Sequence, residues 1–333
     1  MKVLFIGGTG NISTAVSMLA VQKGIDLHLL TRGKSDSHIR GATYLKADVY
    51  RDNLSEVLHG QHWDSVVNWM AFSEEDINRD IEVFAGHTDQ YIFISSASVY
   101  QKPLPHPIIT ESTPISNPYW EYARNKIACE VRLNQALQEQ GFPMTIVRPS
   151  HTYETVIPLA LGGFREYTTV DRMKKGKKII VHGDGTSLWT ITHSKDFASG
   201  FVGLLGIPEA IGQTFHITTD EVLTWNQITD MVGEAVGVQP NLVHIPSEFI
   251  VKFMPETYGS LLGDKSYSAI FDNSKIKKFV PDFKATIPFC EGIGKTIEWF
   301  ESQPERQRVN PETDNLMDRV ISLYETAYYG TLL

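Results

Sequence analysis

The first half of the chain alternates short, wholly apolar runs with stretches whose apolar residues recur every three or four positions. The runs at 2–6, 27–30, 43–46, 65–68, 90–95 and 144–147 read as strands. Several are apolar on both faces, as strands inside a covered parallel sheet must be. Between them, 11–23 puts Ile12, Ala15, Val16, Leu19 and Ala20 on one stripe, and 74–84 and 119–140 show the same helical period. This alternation predicts the α/β class, a parallel sheet with helices on both faces. After Arg148 and Pro149 the rhythm breaks. Gly162, Gly163, Gly176, Gly183 and Gly185 interrupt it, with strands expected at 179–181 and 215–217 and helices at 225–236 and 316–324. The expected organisation is a main domain over 1–150 and, over 151–333, a smaller lobe interleaved with returns to the sheet.

Bulk properties narrow the picture. A chain of 333 residues suits one large domain plus a smaller one. The net charge of −9 disfavours a dedicated nucleic-acid binder. Lys174, Lys175, Lys177 and Lys178 form the main basic cluster and read as a solvated turn around Gly176. Two cysteines, Cys129 and Cys290, imply no disulfide framework, and no apolar run is long enough to span a membrane. A cytoplasmic protein with no membrane partner and no bound metal is expected.

Candidate chemistry begins at the first strand. Gly7, Gly8, Thr9, Gly10, Asn11, Ile12 and Ser13 follow it and open the first helix. Glycines there let the backbone approach a pyrophosphate, and a helix N-terminus offers N–H groups and partial positive charge to phosphates. A dinucleotide cofactor is the expected ligand. Ser13 stands at the third glycine position of the fingerprint. The second strand ends in Thr31, Arg32, Gly33 and Lys34, with no acid for ribose hydroxyls. Arg32 and Lys34 suit a 2′-phosphate, so NADP(H) is favoured over NAD(H). Asp48, with Val49 beside it, is placed for the adenine end or forms a turn ahead of a helix.

Tyr122 and Lys126 lie four residues apart, on one face of a helix. Ser95 and Ser96 end the strand at 90–95, on the carboxyl edge where such sheets bind ligands. Hydride transfer at a carbinol carbon requires a proton to move on its oxygen. A free phenol titrates near about 10 and is a poor base at neutral pH. An ammonium at about 4 Å, with an effective dielectric near 20, attracts a phenolate by about 4 kcal/mol before desolvation. The pattern predicts Tyr122 as acid and base, Lys126 as its cationic neighbour and Ser96 as donor to the substrate oxygen.

These pieces resemble the extended short-chain dehydrogenase/reductases, the NAD-dependent epimerase/dehydratase family. The resemblance rests on the glycine loop, Ser95 to Tyr100, Tyr122 with Lys126, Arg148 to Tyr153, and Thr192 to Asp196. It implies a Rossmann-type doubly wound sheet with a smaller C-terminal substrate-binding lobe. It implies Ser96, Tyr122 and Lys126 as the catalytic triad, with Lys126 also on the nicotinamide ribose. Asn68, Trp69, Met70 and Ala71 would line the cofactor channel, and Pro149 to His151 would border the nicotinamide. In many relatives the helices at 74–84 and 119–140 form a dimer bundle, so a homodimer is expected.

The chain departs from its relatives on the substrate side. Nucleotide-sugar enzymes of the family usually carry arginines that clamp the diphosphate, but no arginine lies between Arg172 and Arg306. Each absent clamp would forfeit about 1.5–3 kcal/mol. Trp189 stands near one clamp position, as a stacking face for a sugar or as a core residue. His151 replaces a usual asparagine and is a candidate substrate contact, as is Ser98, against a satisfied structural histidine. Ala97 and Ser98 lack the acidic pair of dehydratases. The leading expectation is an oxidoreductase acting on a small, sugar-like substrate. The alternatives are a sugar epimerase with tightly held NAD, and an RNA-binding or NADPH-sensing relative.

Overall fold

The structure, a computed structural model, describes residues 1–33 and 38–330. Lys34, one of the two cations expected near a 2′-phosphate, lies outside the described residues. The main sheet has seven strands: β1 (Lys2–Ile6), β2 (Asp26–Thr31), β3 (Thr43–Lys46), β4 (Ser65–Asn68), β5 (Tyr91–Ile94), β6 (Met144–Pro149) and β7 (Thr214–Ile217). Their order is β7-β6-β5-β4-β1-β2-β3, with every neighbouring pair parallel. The order reverses between β1 and β4, which makes this a doubly wound, Rossmann-type sheet with its switch point there.

The helices used below are α1 (Ser13–Gln22), α2 (Glu74–Phe84), α3 (Glu121–Gln140), α4 (Thr168–Lys174), α5 (Ser194–Val202), α6 (Trp225–Ala235), α7 (Phe289–Glu301) and α8 (Pro311–Tyr329). Alternation along β1 assigns its two faces. Val3 and Phe5 face α1 and α5, packing with Val16, Phe197 and Phe201. Leu4 and Ile6 face α2 and α3, packing with Ile77, Ile81, Cys129 and Leu133. Ser73 and Asp76 form a reciprocal cap that starts α2. Gly141, at φ +69°, ends α3 in the left-handed conformation. The pattern expected α3 two residues earlier, but Trp120 is already extended (φ −123°, ψ 116°) and caps the helix.

Beyond residue 150 the chain divides its residues between two cores. The strand β7 and helix α5 belong to the main sheet and its cover. The remainder builds a smaller lobe around Trp189, Trp225, Ile228, Phe289 and Ile293. The lysine run does turn at 175–176, with Lys174, Lys175 and Gly176 exposed, but its ammonium groups are paired. Lys174 pairs with Glu301, Lys175 with Asp171, Lys177 with Asp314 and Asp318, and Lys178 with Glu325. Buried Arg172 joins Asp314 and Asp318 as well, so most of this cluster fastens α8 to the lobe. Among the described residues, no helix is long and apolar enough to cross a membrane.

Candidate active site

The glycine loop follows β1 at the switch point. Gly7 and Gly8 have φ of +94° and +106°. A Cβ on Gly8 would lie 2.7 Å from Leu29 Cδ2, and one on Gly7 would lie 3.2 Å from Met70 Cγ. Only hydrogen fits, which brings the loop backbone against β2 and the turn after β4. Ser13 fills the third glycine position by accepting the Gly10 N–H at 2.8 Å, which closes the loop from within. The first turn of α1 carries no acid, and Ile12 supplies no side-chain cap, so the positive helix end is left open to an anion. The Asn11 side chain is engaged elsewhere. Its Nδ2 donates to Thr152 O at 2.9 Å and its Oδ1 accepts Thr155 N at 3.0 Å, tying the loop to the lobe. Thr9 and Gly10 stand at the loop's outer edge, and exposed Arg32 follows β2.

The neighbouring walls are built the same way. Asn68 Oδ1 accepts Met70 N at 2.7 Å, and its Nδ2 donates to buried Asp80, which also accepts Tyr91 Oη at 2.5 Å. This fixes the turn carrying Trp69, Met70 and Ala71. Asp48 Oδ1 accepts Tyr50 N at 3.1 Å, so its carboxylate shapes the turn that presents Val49. Tyr50 Oη reaches across to Met70 O at 3.0 Å. A shaped backbone cradle, an open helix end and an exposed cation at the end of β2 fit a dinucleotide.

Ser96, Tyr122 and Lys126 come together where β5 meets α3. Ser96 Oγ accepts Ser98 N at 3.2 Å and Ser98 Oγ at 2.9 Å, and the Ser96 hydroxyl acts on the Tyr122 phenol. Ser98 therefore backs Ser96. Lys126 Nζ donates to Ala71 O at 2.7 Å and Ile94 O at 2.8 Å, and lies 4.4 Å from the centre of the Phe72 ring. Burial draws the Lys126 ammonium down to about 8.

The electrostatics of Tyr122 differ from the simple expectation. Its phenol is raised above its ordinary value, first by burial, with the Ser96 hydrogen bond opposing and the Asp264 carboxylate adding to the rise. The Lys126 ammonium lies 5.8 Å from the Tyr122 ring centre and points its protons at two carbonyls. Desolvation therefore outweighs the ammonium at this phenol.

Further along α3, a buried ion pair holds the helix to the sheet. Glu130 accepts Arg148 Nε at 2.9 Å and Nη2 at 2.5 Å, and Ser95 Oγ at 2.5 Å. The pair fixes α3 to β6 directly behind the triad. Sequence gives only a faint signal for it, Glu130 lying one turn beyond Lys126 on the same helical side.

On the substrate side the structure selects the core role for Trp189. Trp189 is 2% exposed, donates its indole N–H to Tyr267 O at 3.1 Å and packs 5.6 Å from the Trp225 ring. It is a core residue without a free face. Phe164 instead presents an exposed ring, 6.5 Å from His151 and held at φ +51° by paired hydrogen bonds with Ile157. His151 follows Pro149 at the end of β6. Its Nε2 is buried without a hydrogen-bond partner, and burial together with Lys265 draws the imidazole down to about 3. It is thus not the satisfied structural histidine. Sequence reading also passes over Lys102, Asn117, Asp264 and Lys265. Asn117 Nδ2 bridges Ser98 O at 2.8 Å and Gly263 O at 2.7 Å, which brings the segment 263–265 to the triad.

Comparisons with known proteins agree with this geometry. A family model described as the NAD dependent epimerase/dehydratase family matches residues 3–217. The chain is 29% identical over 267 residues to the chloroplast stem-loop binding protein of 41 kDa b of Arabidopsis thaliana, covering 74% of this chain and 67% of that protein. It is 21% identical over 335 residues to the dTDP-D-glucose 4,6-dehydratase of Mus musculus, covering 90% and 88%. The UDP-glucuronic acid 4-epimerase from Bacillus cereus, solved in complex with NAD, superposes with a TM-score of 0.71 at 16% identity, covering 92% of this chain and 98% of that one. At that identity the likeness is one of fold.

Proposed function

Because the chain belongs to the NAD-dependent epimerase/dehydratase family, we propose that it moves a hydride at a carbinol or carbonyl carbon of a small, sugar-like substrate, with Tyr122 as acid and base. The nicotinamide cofactor, when bound, supplies the hydride acceptor or donor. Gly7, Thr9, Gly10, Asn11 and Ile12 hold the phosphates against the open end of α1. Asp48 and Val49 border the adenine. Met70, Ala71, Ser95, Pro149 and His151 wall the channel, and Lys126 serves the ribose beside the reacting carbon. Ser96 donates to the substrate oxygen, while Tyr122 Oη takes or returns its proton.

One observation carries the reading. Tyr122, on which the Ser96 hydroxyl acts, sits one helical turn from a buried ammonium whose protons go to two carbonyls and to no carboxylate. That ammonium keeps positive potential beside the phenol and favours the charge that develops there on proton loss. Tyr122→Phe is expected to lower turnover by about 10²–10⁴-fold while cofactor titrates unchanged. The assay follows NADPH and NADH oxidation against aldoses, ketoses and sugar acids. Full activity in the variant refutes the mechanism.

NADP(H) is the favoured cofactor, since exposed Arg32 follows β2 and no acid stands there among the described residues. Arg32→Ala should weaken NADPH by about tenfold or more and leave NADH nearly unchanged. Tighter NADH than NADPH binding by the unaltered protein overturns that preference. The missing arginine clamps favour a substrate smaller than a nucleotide sugar. An epimerase would instead retain cofactor through purification and consume none.

A second reading, stem-loop binding, is favoured by the 29% identical relative named for it. Against it stand the net charge of −9 and the acid partners of Lys174, Lys175, Lys177 and Lys178. A gel shift with hairpin RNA that persists at moderate salt would support it.

A further inference from the structure

Behind the triad lies a group of buried charges that the proton-transfer scheme does not use. Lys102 is 4% exposed, and Asp264 and Lys265 are each 9% exposed. Asp264 Oδ1 lies 3.9 Å from Lys102 Nζ, so the one carboxylate faces Lys102. Asp264 also acts on Lys265, so two ammoniums share one carboxylate and one positive charge is in surplus. Lys265 Nζ makes no hydrogen bond among the described residues, and the Trp120 ring centre, at 5.9 Å, is at the outer limit of a cation–π contact.

Three observations aim this ammonium at the reaction centre. Trp120, over which it sits, packs 5.1 Å from the Tyr122 ring. Lys265 acts electrostatically on His151, whose buried Nε2 has no partner, and Asp264 acts on Tyr122. The backbone around Lys265 is fixed, because its carbonyl accepts His182 Nε2, Trp225 Nε1, Ser187 Oγ and Trp189 Nε1 at 3.0–3.3 Å. Two buried ammoniums that share one carboxylate are costly unless a ligand supplies the missing negative charge.

We propose that the substrate carries an anionic substituent, a carboxylate or a phosphate, close to the reacting carbon, and that Lys265 binds it. The inference rests on the hydride-transfer reading and names the substrate class of that site as sugar acids or sugar phosphates. His151 Nε2, buried without a partner and acted on by the same ammonium, would offer the substituent a second polar contact.

The test is calorimetric titration of the full chain, saturated with cofactor, using glucuronate, glucose 6-phosphate and glucose. At least one charged probe should bind tenfold or more tightly than glucose, and which of them does so separates carboxylate from phosphate. Lys265→Met should weaken that probe by at least tenfold and leave glucose and NADPH binding as they were. Lys265→Arg, which restores the charge, should recover most of the loss and shows that the site is folded. Equal binding of charged and neutral probes overturns the proposal, as does charged-probe binding that survives Lys265→Met. Failure of the hydride-transfer reading would show separately, as absent NADPH binding or unimpaired turnover in Tyr122→Phe.

Discussion

Replacing Glu130 by leucine tests how the triad is held. Glu130 is 1% exposed and accepts three hydrogen bonds, two from the Arg148 guanidinium and one from Ser95. Removing the carboxylate leaves the guanidinium, whose side chain is 5% exposed, with Glu111 O at 3.4 Å and the Tyr100 ring at 4.8 Å. Breaking a buried pair from one side costs about 3–5 kcal/mol, because an uncompensated charge remains. For a chain of this size that is a fall in Tm on the order of 5–10 °C. The double variant Glu130→Leu/Arg148→Met removes both charges and leaves Ser95 Oγ without its acceptor and Glu111 O without a long, weak donor, a penalty of about 1–3 kcal/mol. It should therefore recover a substantial part of the single variant's loss. Urea unfolding followed by tryptophan fluorescence measures all four corners of the cycle. Losses that simply add in the double variant would refute the reasoning, since they would mean that the two charges do not compensate each other. Turnover should fall in both Glu130 variants, because Ser95 adjoins Ser96 and α3 carries Tyr122 and Lys126.

Two further outcomes follow from the site. Lys126 titrates at about 8 in the folded chain against 10.5 ordinarily. Its folded value is lowered, so below about pH 8 it imposes a constant penalty of about 3 kcal/mol, relieved as pH rises from about 8 towards 10.5. Lys126→Met should abolish turnover, raise stability at pH 7 and remove that part of the pH dependence; a variant less stable at pH 7 would contradict the assignment. Gly8→Ala combines φ +106° with a Cβ 2.7 Å from Leu29 Cδ2, whereas Gly24→Ala combines φ +77° with open space. Gly24→Ala should cost about 1–2 kcal/mol, and Gly8→Ala more, with weakened NADPH binding; equal melting temperatures would refute the packing argument.

Much of the site was legible along the chain because local rules govern it. The strand, glycine loop and helix at 2–23 are contiguous, and Tyr122 and Lys126 share a face through helix geometry alone. The ends of β6 and β7 run longer than the apolar runs suggested, because sheet pairing continues through Arg148, Pro149 and Thr214. Trp189 stayed open between two roles for a physical reason. A tryptophan near a substrate motif and a tryptophan in a core look alike until the packing around Trp225 is known.

By itself the sequence determined the class of sheet, the place of the glycine loop and the shared helical face of Tyr122 and Lys126, since each is written in residues near one another or at fixed periods. Only the tertiary structure decided what surrounds them. Glu130 meets Arg148 across 18 positions, Asn117 meets Gly263 across 146, and Lys265 is brought near His151 from the far lobe. Charges separated that widely in sequence acquire their burial and their partners only when the chain closes on itself, and burial sets what they can bind.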